Sequence, residues 1–232
     1  RYRPKKVDGL VILVGDSTAK SLSDGFVTAA NNISLEAMVF QRPGCPFQVI
    51  DSPFSTFCKS RNRSIWSAIR TLKPVAVVIS NLNYLYVRDI GLPGYPIGPT
   101  RVAWANETQK IFAQLRNLKT QGLLVQPVPE FASDIRYEVT VLKKNVIGED
   151  RIVLNRENEI LNRMDTNAVM KVFDNRSILN LYRQFCTSDS CSQVKDGKFM
   201  YEDGSHLSSV GSMGVAPEVE QALRLLIQNK TK

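Results

Sequence analysis

A chain of 232 residues, 43% hydrophobic and 22% charged, is long enough to bury one sizeable core and too ordinary in composition to be disordered or fibrous. Its apolar runs all fall short of the ~20 residues that a membrane-spanning helix needs. The net charge of +8 invites a nucleic-acid partner, but the basic residues are scattered and no aromatics interleave with them as a base-stacking platform requires, so no such partner is expected.

The compact basic cluster is Arg1-Tyr2-Arg3-Pro4-Lys5-Lys6. Residues 1–8 read as a linker, suited to a juxtamembrane position beside anionic lipid or polymer, or equally to a solvated tail. With no initiator Met and no signal peptide, the chain reads as a processed or excised piece of something larger. Residues 9–232 then alternate between short apolar runs and helix-like stretches. Strands are expected at Gly9–Val14, Ala37–Phe40, Val75–Ser80, Leu123–Val128 and Ala168–Phe173. Helices are expected at Thr18–Ala30, Ser60–Leu72, Trp104–Thr120, Asp150–Met164, Ile178–Phe185 and Pro217–Gln228. Pro53–Ser60 and the Gly/Pro-rich Gly91–Pro99 read as loops. The strands are continuous apolar runs rather than alternating ones, as in parallel strands covered on both faces. The fold class is therefore α/β: one doubly wound, three-layer α/β/α sandwich around a five-stranded, mainly parallel sheet.

In such sheets ligands bind beyond the carboxyl ends of the strands. The first strand ends there in Gly15-Asp16-Ser17. Its plainest reading is a strand-to-helix turn in which Asp16 or Ser17 caps the next helix. A serine at that position would also have a backbone N–H and a helix dipole beside it, ready for a developing oxyanion. The Gly-x-Ser-x-Gly elbow of the α/β-hydrolases is absent. Far along the chain, the single histidine lies in Asp203-Gly204-Ser205-His206. In a tight turn this spacing lets the carboxylate reach Nδ1–H and leaves Nε2 for a nucleophile. A lone histidine is more often a surface or core residue, but here it sits in a polar loop before an apolar helix. Because the chain has one histidine, any Ser-His-Asp triad must use His206, and Ser17, His206 and Asp203 form the candidate combination. Gly44 follows the second strand and offers a bare backbone N–H. Asn83 follows the third strand and offers a side-chain amide; taken singly, Gly44 and Asn83 are each turn residues.

Cys45 with Cys58, and Cys186 with Cys191, form two close pairs whose spacing fits no zinc site. Two short-loop disulfides in an oxidising compartment fit better than four reduced core cysteines. No metal or cofactor is expected. Sequons begin at Asn32, Asn62, Asn106, Asn175 and Asn229, and matter only in a host that glycosylates.

Taken in order, Ser17, Gly44, Asn83 and His206 resemble the four blocks of the SGNH (GDSL-like) hydrolase superfamily. The chain is most similar to the extracytoplasmic SGNH domain fused behind membrane-embedded acyltransferase family 3 domains. Val14-Gly15-Asp16-Ser17, Pro43-Gly44-Cys45-Pro46 and Asp203-Gly204-Ser205-His206-Leu207-Ser208-Ser209-Val210-Gly211 carry the resemblance. Pro127-Val128-Pro129-Glu130 and the Cys186/Cys191 pair agree with it. The third block departs, reading Asn81-Leu82-Asn83-Tyr84 where Gly-x-Asn-Asp is usual, which makes Asn81 a rival to Asn83, and Thr18 stands where the fused domains often have histidine. The resemblance implies a flavodoxin-like SGNH fold and a catalytic triad of Ser17 as nucleophile, His206 as base and Asp203 as its orienting acid. It implies an oxyanion hole from the Ser17 N–H, Gly44 and Asn83. It further implies O-acyl, typically acetyl, transfer to a glycan or glycolipid hydroxyl, with a membrane domain of the same polypeptide as acyl source and an extracytoplasmic location. A secreted esterase or deacetylase and a silent glycan-binding module are the alternatives. The sequence carries no signal of oligomeric state.

Overall fold

The computed structural model describes residues 7–49, 56–87, 100–131, 156–187 and 190–228. Five strands form one sheet: β1 (Gly9–Gly15), β2 (Leu35–Gln41), β3 (Ala76–Ser80), β4 (Gln121–Val125) and β5 (Ile178–Leu179). They lie in the order β2-β1-β3-β4-β5, and every neighbouring pair is parallel. The helices are α1 (Ser17–Asn32), α2 (Thr56–Leu72), α3 (Arg101–Asn117), α4 (Arg156–Met170), α5 (Ser209–Gly214) and α6 (Ala216–Ile227). A small antiparallel hairpin, β6 (Val194–Lys195) and β7 (Lys198–Phe199), precedes the histidine loop.

The continuous apolar run of β1 is explained by burial on both faces. Val11 and Leu13 pack with Leu22, Phe26, Val219 and Leu223 from α1 and α6. Ile12 and Val14 face the other way, against Ile65, Trp66, Phe112 and Val169 from α2, α3 and α4. At ~25 cal/mol per Å² of apolar area, such a doubly covered strand contributes more stability than a half-exposed one of equal length. At the carboxyl end of β1 the chain must pass close to β3. A Cβ on Gly15 would stand 1.7 Å from the Ser80 carbonyl oxygen, so only glycine fits.

Three expectations are corrected. Ala168–Phe173 is no strand: Leu161, Asp165, Ala168 and Val169 are buried at helical spacing, and Ala168–Met170 complete α4. Helix α4 accordingly runs to Met170 rather than Met164, while residues 150–155 lie outside the described ones. Ile178–Phe185 is no helix: Ile178 and Leu179 supply β5, and Tyr182–Gln184 make a single 3₁₀ turn. Thr56–Ser60, expected to be irregular, already belong to α2. The Gly91–Pro99 loop, residues 1–6 and the sequon at Asn229 lie outside the described residues. Both disulfides, Cys45–Cys58 and Cys186–Cys191, are formed. Asn62 is buried, its side chain donating to the Pro46 carbonyl, which removes that sequon from the surface.

Candidate active site

Ser17 begins α1 directly after β1, and Asp16 is the helix N-cap. The fully buried Asp16 carboxylate is saturated with donors. Oδ1 accepts from the Thr18 backbone N–H at 2.8 Å and the Thr18 hydroxyl at 2.9 Å. Oδ2 accepts from the Leu82 N–H at 2.8 Å and the Tyr86 hydroxyl at 2.9 Å. Asp16 therefore caps α1 and also fixes the segment after β3. Because the cap serves Thr18, the Ser17 N–H is one of the donors at the helix start that no described residue takes. Thr18, whose one hydroxyl hydrogen goes to Asp16, accepts in turn from Ser80 at 3.0 Å.

The Gly44 turn is fastened to α2. Pro43 and Gly44 occupy the centre of a turn closed by Cys45 N–H to Arg42 carbonyl at 3.1 Å, and Gly44 has φ 71°. That left-handed φ at the second central position, after proline at the first, is the type II pattern. A Cβ on Gly44 would meet no described residue within 4 Å. Behind the turn, Arg61 of α2 donates to the carbonyls of Gly15 at 2.9 Å, Phe40 at 2.8 Å and Cys45 at 3.3 Å. Burial lowers the Arg61 pKa, and nearby Asp16 opposes the shift. The Cys45–Cys58 bond and a Trp66 Nε1–H to Gln48 carbonyl bond complete the attachment.

After β3, the two candidate asparagines separate. Asn81 accepts from the Phe47 N–H at 3.0 Å and donates to the Phe47 carbonyl at 3.2 Å, so both ends of its amide clamp the neighbouring loop. Asn83 starts a 3₁₀ turn (Asn83–Tyr86), and its Nδ2 donates to Asp165 Oδ2 at 2.7 Å, leaving its second N–H.

Asp203 and His206 meet as their spacing predicts. His206 Nδ1–H donates to Asp203 Oδ2 at 2.7 Å, while Asp203 Oδ1 accepts from the backbone N–H groups of Ser205 at 2.7 Å and His206 at 2.8 Å. Burial pushes the Asp203 carboxyl up, but the hydrogen bonds from His206 and these N–H groups outweigh it and hold it well below the usual range. The same carboxylate raises the His206 pKa against partial burial, with Asp16 and Glu130 adding to the rise. His206 Nε2 is buried and makes no hydrogen bond among the described residues. The ring thus lies within the field of Asp16, the residue before Ser17, while no Ser17–His206 hydrogen bond is formed. Apo sites often tighten that contact only with substrate present.

The histidine loop is braced from several elements. Gly204 accepts from the Phe131 N–H, Glu202 N–H donates to the His206 carbonyl, and Ser208 caps α5 while donating to the Phe199 carbonyl. The Tyr201 ring packs edge-on to Phe131 and Phe185. Sequence reasoning assigned no role to Glu130 or Asp165. Glu130 is buried near His206 and Asp203, and burial pushes its carboxyl up to about 7. Asp165 is fully buried and likewise pushed up to about 7 by burial, against hydrogen bonds from Thr108, Trp104 and Asn83. The signal for Asp165 was a lone acid inside the apolar stripe of α4. Among the described residues no cluster of side chains suits a metal ion, and no helix is long and apolar enough to cross a membrane.

Comparison with known proteins bears on the fold. The periplasmic domain of a lipopolysaccharide acetyltransferase from Salmonella ser. Paratyphi A superposes with a TM-score of 0.70 at 16% identity, covering 93% of this chain and 83% of that one. An acetyl xylan esterase (TM-score 0.54, 14% identity, 92% and 99% covered) shares the fold. So does a GDSL-like lipase from Bacteroides thetaiotaomicron (0.55, 14%, 93% and 88%). No curated protein matches the sequence. The sequence profile described as "SGNH domain (fused to AT3 domains)" matches residues 2–221, nearly the whole chain, and the chain belongs to that family.

Proposed function

We propose that this chain is an O-acyltransferase domain in which Ser17 takes up an acyl group, acetyl being the simplest, and passes it to a hydroxyl of a cell-envelope glycan or glycolipid. The observation that supports it most is the Asp203–His206 couple, with Nε2 buried, hydrogen-bonded to no described residue and in the field of Asp16 beside Ser17. In this reading Ser17 Oγ attacks the acyl carbonyl and its proton passes to Nε2. Asp203 stabilises the resulting imidazolium. The tetrahedral oxyanion accepts hydrogen bonds from the Ser17 N–H, the Gly44 N–H and the second Asn83 Nδ2–H. Collapse expels the donor's leaving group, which takes the proton from His206. The acceptor hydroxyl then attacks the Ser17 ester, gives its proton to Nε2, and leaves acylated as Ser17 is reprotonated.

A transferase must keep water from winning at the acyl-enzyme stage. The family's fusion to AT3 domains supports a membrane-embedded partner in the same polypeptide as acyl source, with this domain tethered on the extracytoplasmic side. The disulfides fit an oxidising compartment.

The test has two arms. In this chain, Ser17→Ala and His206→Ala should each lower hydrolysis of p-nitrophenyl acetate by ~10³-fold or more, without additivity. A His206→Ala variant at full rate removes the triad assignment, since no other histidine exists. In cells, acylation of the envelope glycan is compared among the full-length protein, its Ser17→Ala variant and the membrane half alone. Normal acylation by the membrane half alone defeats the transferase reading. Ester hydrolysis by this chain at ordinary enzyme rates, ~10 s⁻¹, without sugar preference, would favour an esterase instead.

A further inference from the structure

Asp165 lies on α4 with its carboxyl wholly enclosed, and the groups that hydrogen-bond it are neutral donors. Thr108 Oγ1 donates to Oδ1 at 2.9 Å, while Trp104 Nε1 at 3.2 Å and Asn83 Nδ2 at 2.7 Å donate to Oδ2. The surroundings are apolar, with Tyr86, Trp104 and Leu161 in one buried cluster. A carboxyl in such a place is costly, and an apolar side chain would pack there at lower cost. What an apolar residue cannot do is orient an amide. Oδ2 accepts in either protonation state when the acid hydrogen sits on Oδ1, so Asn83 must turn its NH₂ end, not its carbonyl, toward α4. With one N–H fixed on Asp165, the planar amide fixes the direction of the other.

We infer that Asp165 is a positioning residue of the oxyanion hole, setting through Asn83 Nδ2 the direction of the N–H that meets the developing negative charge. This rests on the reading of Asn83 as an oxyanion donor. Two features of the fold agree with it. The segment that carries Asn83 is held at its other contacts by Asp16, which takes the Leu82 N–H and the Tyr86 hydroxyl, so both sides of the turn end on buried carboxyls. Tyr86 stacks on Trp104 with ring centroids 5.8 Å apart, so the donor that steadies Asp165 also packs against the residue that Asp16 holds. Ser17's neighbour and Asn83 are thus parts of one rigid network.

The experiment is a double-mutant cycle on p-nitrophenyl acetate hydrolysis by this chain. Asn83→Ala should lower kcat by ~10²–10³-fold with little change in KM. Asp165→Ala should lower kcat by ~10–100-fold, again with little change in KM, as expected for a misplaced rather than missing group. Asp165→Asn, which keeps an acceptor oxygen, should lose less. The double variant Asn83→Ala/Asp165→Ala should be no slower than Asn83→Ala alone. Multiplied losses, or a wild-type kcat for Asp165→Ala, overturn the inference and leave the Asn83 assignment standing. A wild-type kcat for Asn83→Ala removes that assignment itself, and the inference with it. Should Asp165→Ala fail to fold by near-UV circular dichroism, Trp104→Phe/Thr108→Val strips the carboxyl of its other two donors, with Val matching Thr in volume and Phe leaving a small cavity. Its several-fold loss of kcat must then vanish on the Asn83→Ala background, and a loss that persists there, or none at all, overturns the inference.

Discussion

His206 is set by the charges around it. Asp203 holds its Nδ1–H, Asp16 and Glu130 lie close enough to favour the imidazolium, and partial burial pulls the other way. The hydrogen bond to Asp203 dominates, so the pKa is raised. A general base must be neutral to take the serine proton. Activity should therefore rise with pH, and the midpoint of the acid limb of kcat/KM should lie above the ~6.5 of an ordinary histidine. Asp203→Asn removes the main cause, and the midpoint should move back toward that value while the rate falls by less than in His206→Ala. The pH–rate profile of p-nitrophenyl acetate hydrolysis reads both. A wild-type midpoint at or below the ordinary value, or one that Asp203→Asn leaves unmoved, contradicts this account of the base.

The elements hold the two halves of the candidate site together through one close helix crossing. A Cβ on Gly25 of α1 would stand 2.0 Å from the Ser212 carbonyl oxygen of α5, and the Ser212 hydroxyl already accepts from the Gly25 N–H at 2.9 Å. Helix α1 begins at Ser17, and α5 follows His206 by three residues. Gly25→Ala must push these helices apart. Overpacking of this kind costs about 1–3 kcal/mol, so thermal denaturation should show Tm lower by ~3–10 °C for a chain of this size, with ester hydrolysis reduced as well. Gly214→Ala meets only the end of the flexible Met200 side chain at 2.9 Å and should fall much less. Equal losses in the two variants would mean that the crossing is not what ties Ser17 to the histidine loop. Local motifs were readable without coordinates: a strand running into Asp16-Ser17, and Asp203 three residues before His206, announce themselves by spacing. The fifth strand was not, because two residues, Ile178 and Leu179, make too short a signal, whereas Ala168–Phe173 imitates one while continuing a helix. Nor were the roles of Asp165 and Arg61, since each consists wholly of partners distant in sequence: Asn83 is 82 positions from Asp165, and Gly15 is 46 from Arg61.

Across the whole molecule, the buried acids set how stability depends on pH. Asp165 and Glu130 are both pushed up to about 7 by burial, from ordinary values of 3.8 and 4.5, while the raised His206 pKa acts in the same direction only above ~6.5. Between pH ~4 and ~7 the folded chain therefore binds more protons than the unfolded one, and linkage requires stability to fall as pH rises through that window. Asp203 acts oppositely, because its carboxyl is held low in the fold. Its contribution is present above the ordinary carboxylate range and is lost only as pH falls well below it. Net charge, +8 at neutral pH, grows as acids protonate, and self-repulsion then opposes the gain at low pH. Comparison of variants largely cancels that common effect. Asp165→Asn and Glu130→Gln both remove an acid whose burial is penalised once ionised. The Tm of each relative to wild type should therefore move upward on going from pH 5 to pH 8, and the double variant should show the flattest profile. Melting curves by circular dichroism at those two pH values supply the reading. Parallel profiles for wild type and double variant would mean that neither carboxyl changes its protonation on unfolding in that range, and that the buried cost assigned to Asp165 and Glu130 is already met within the fold.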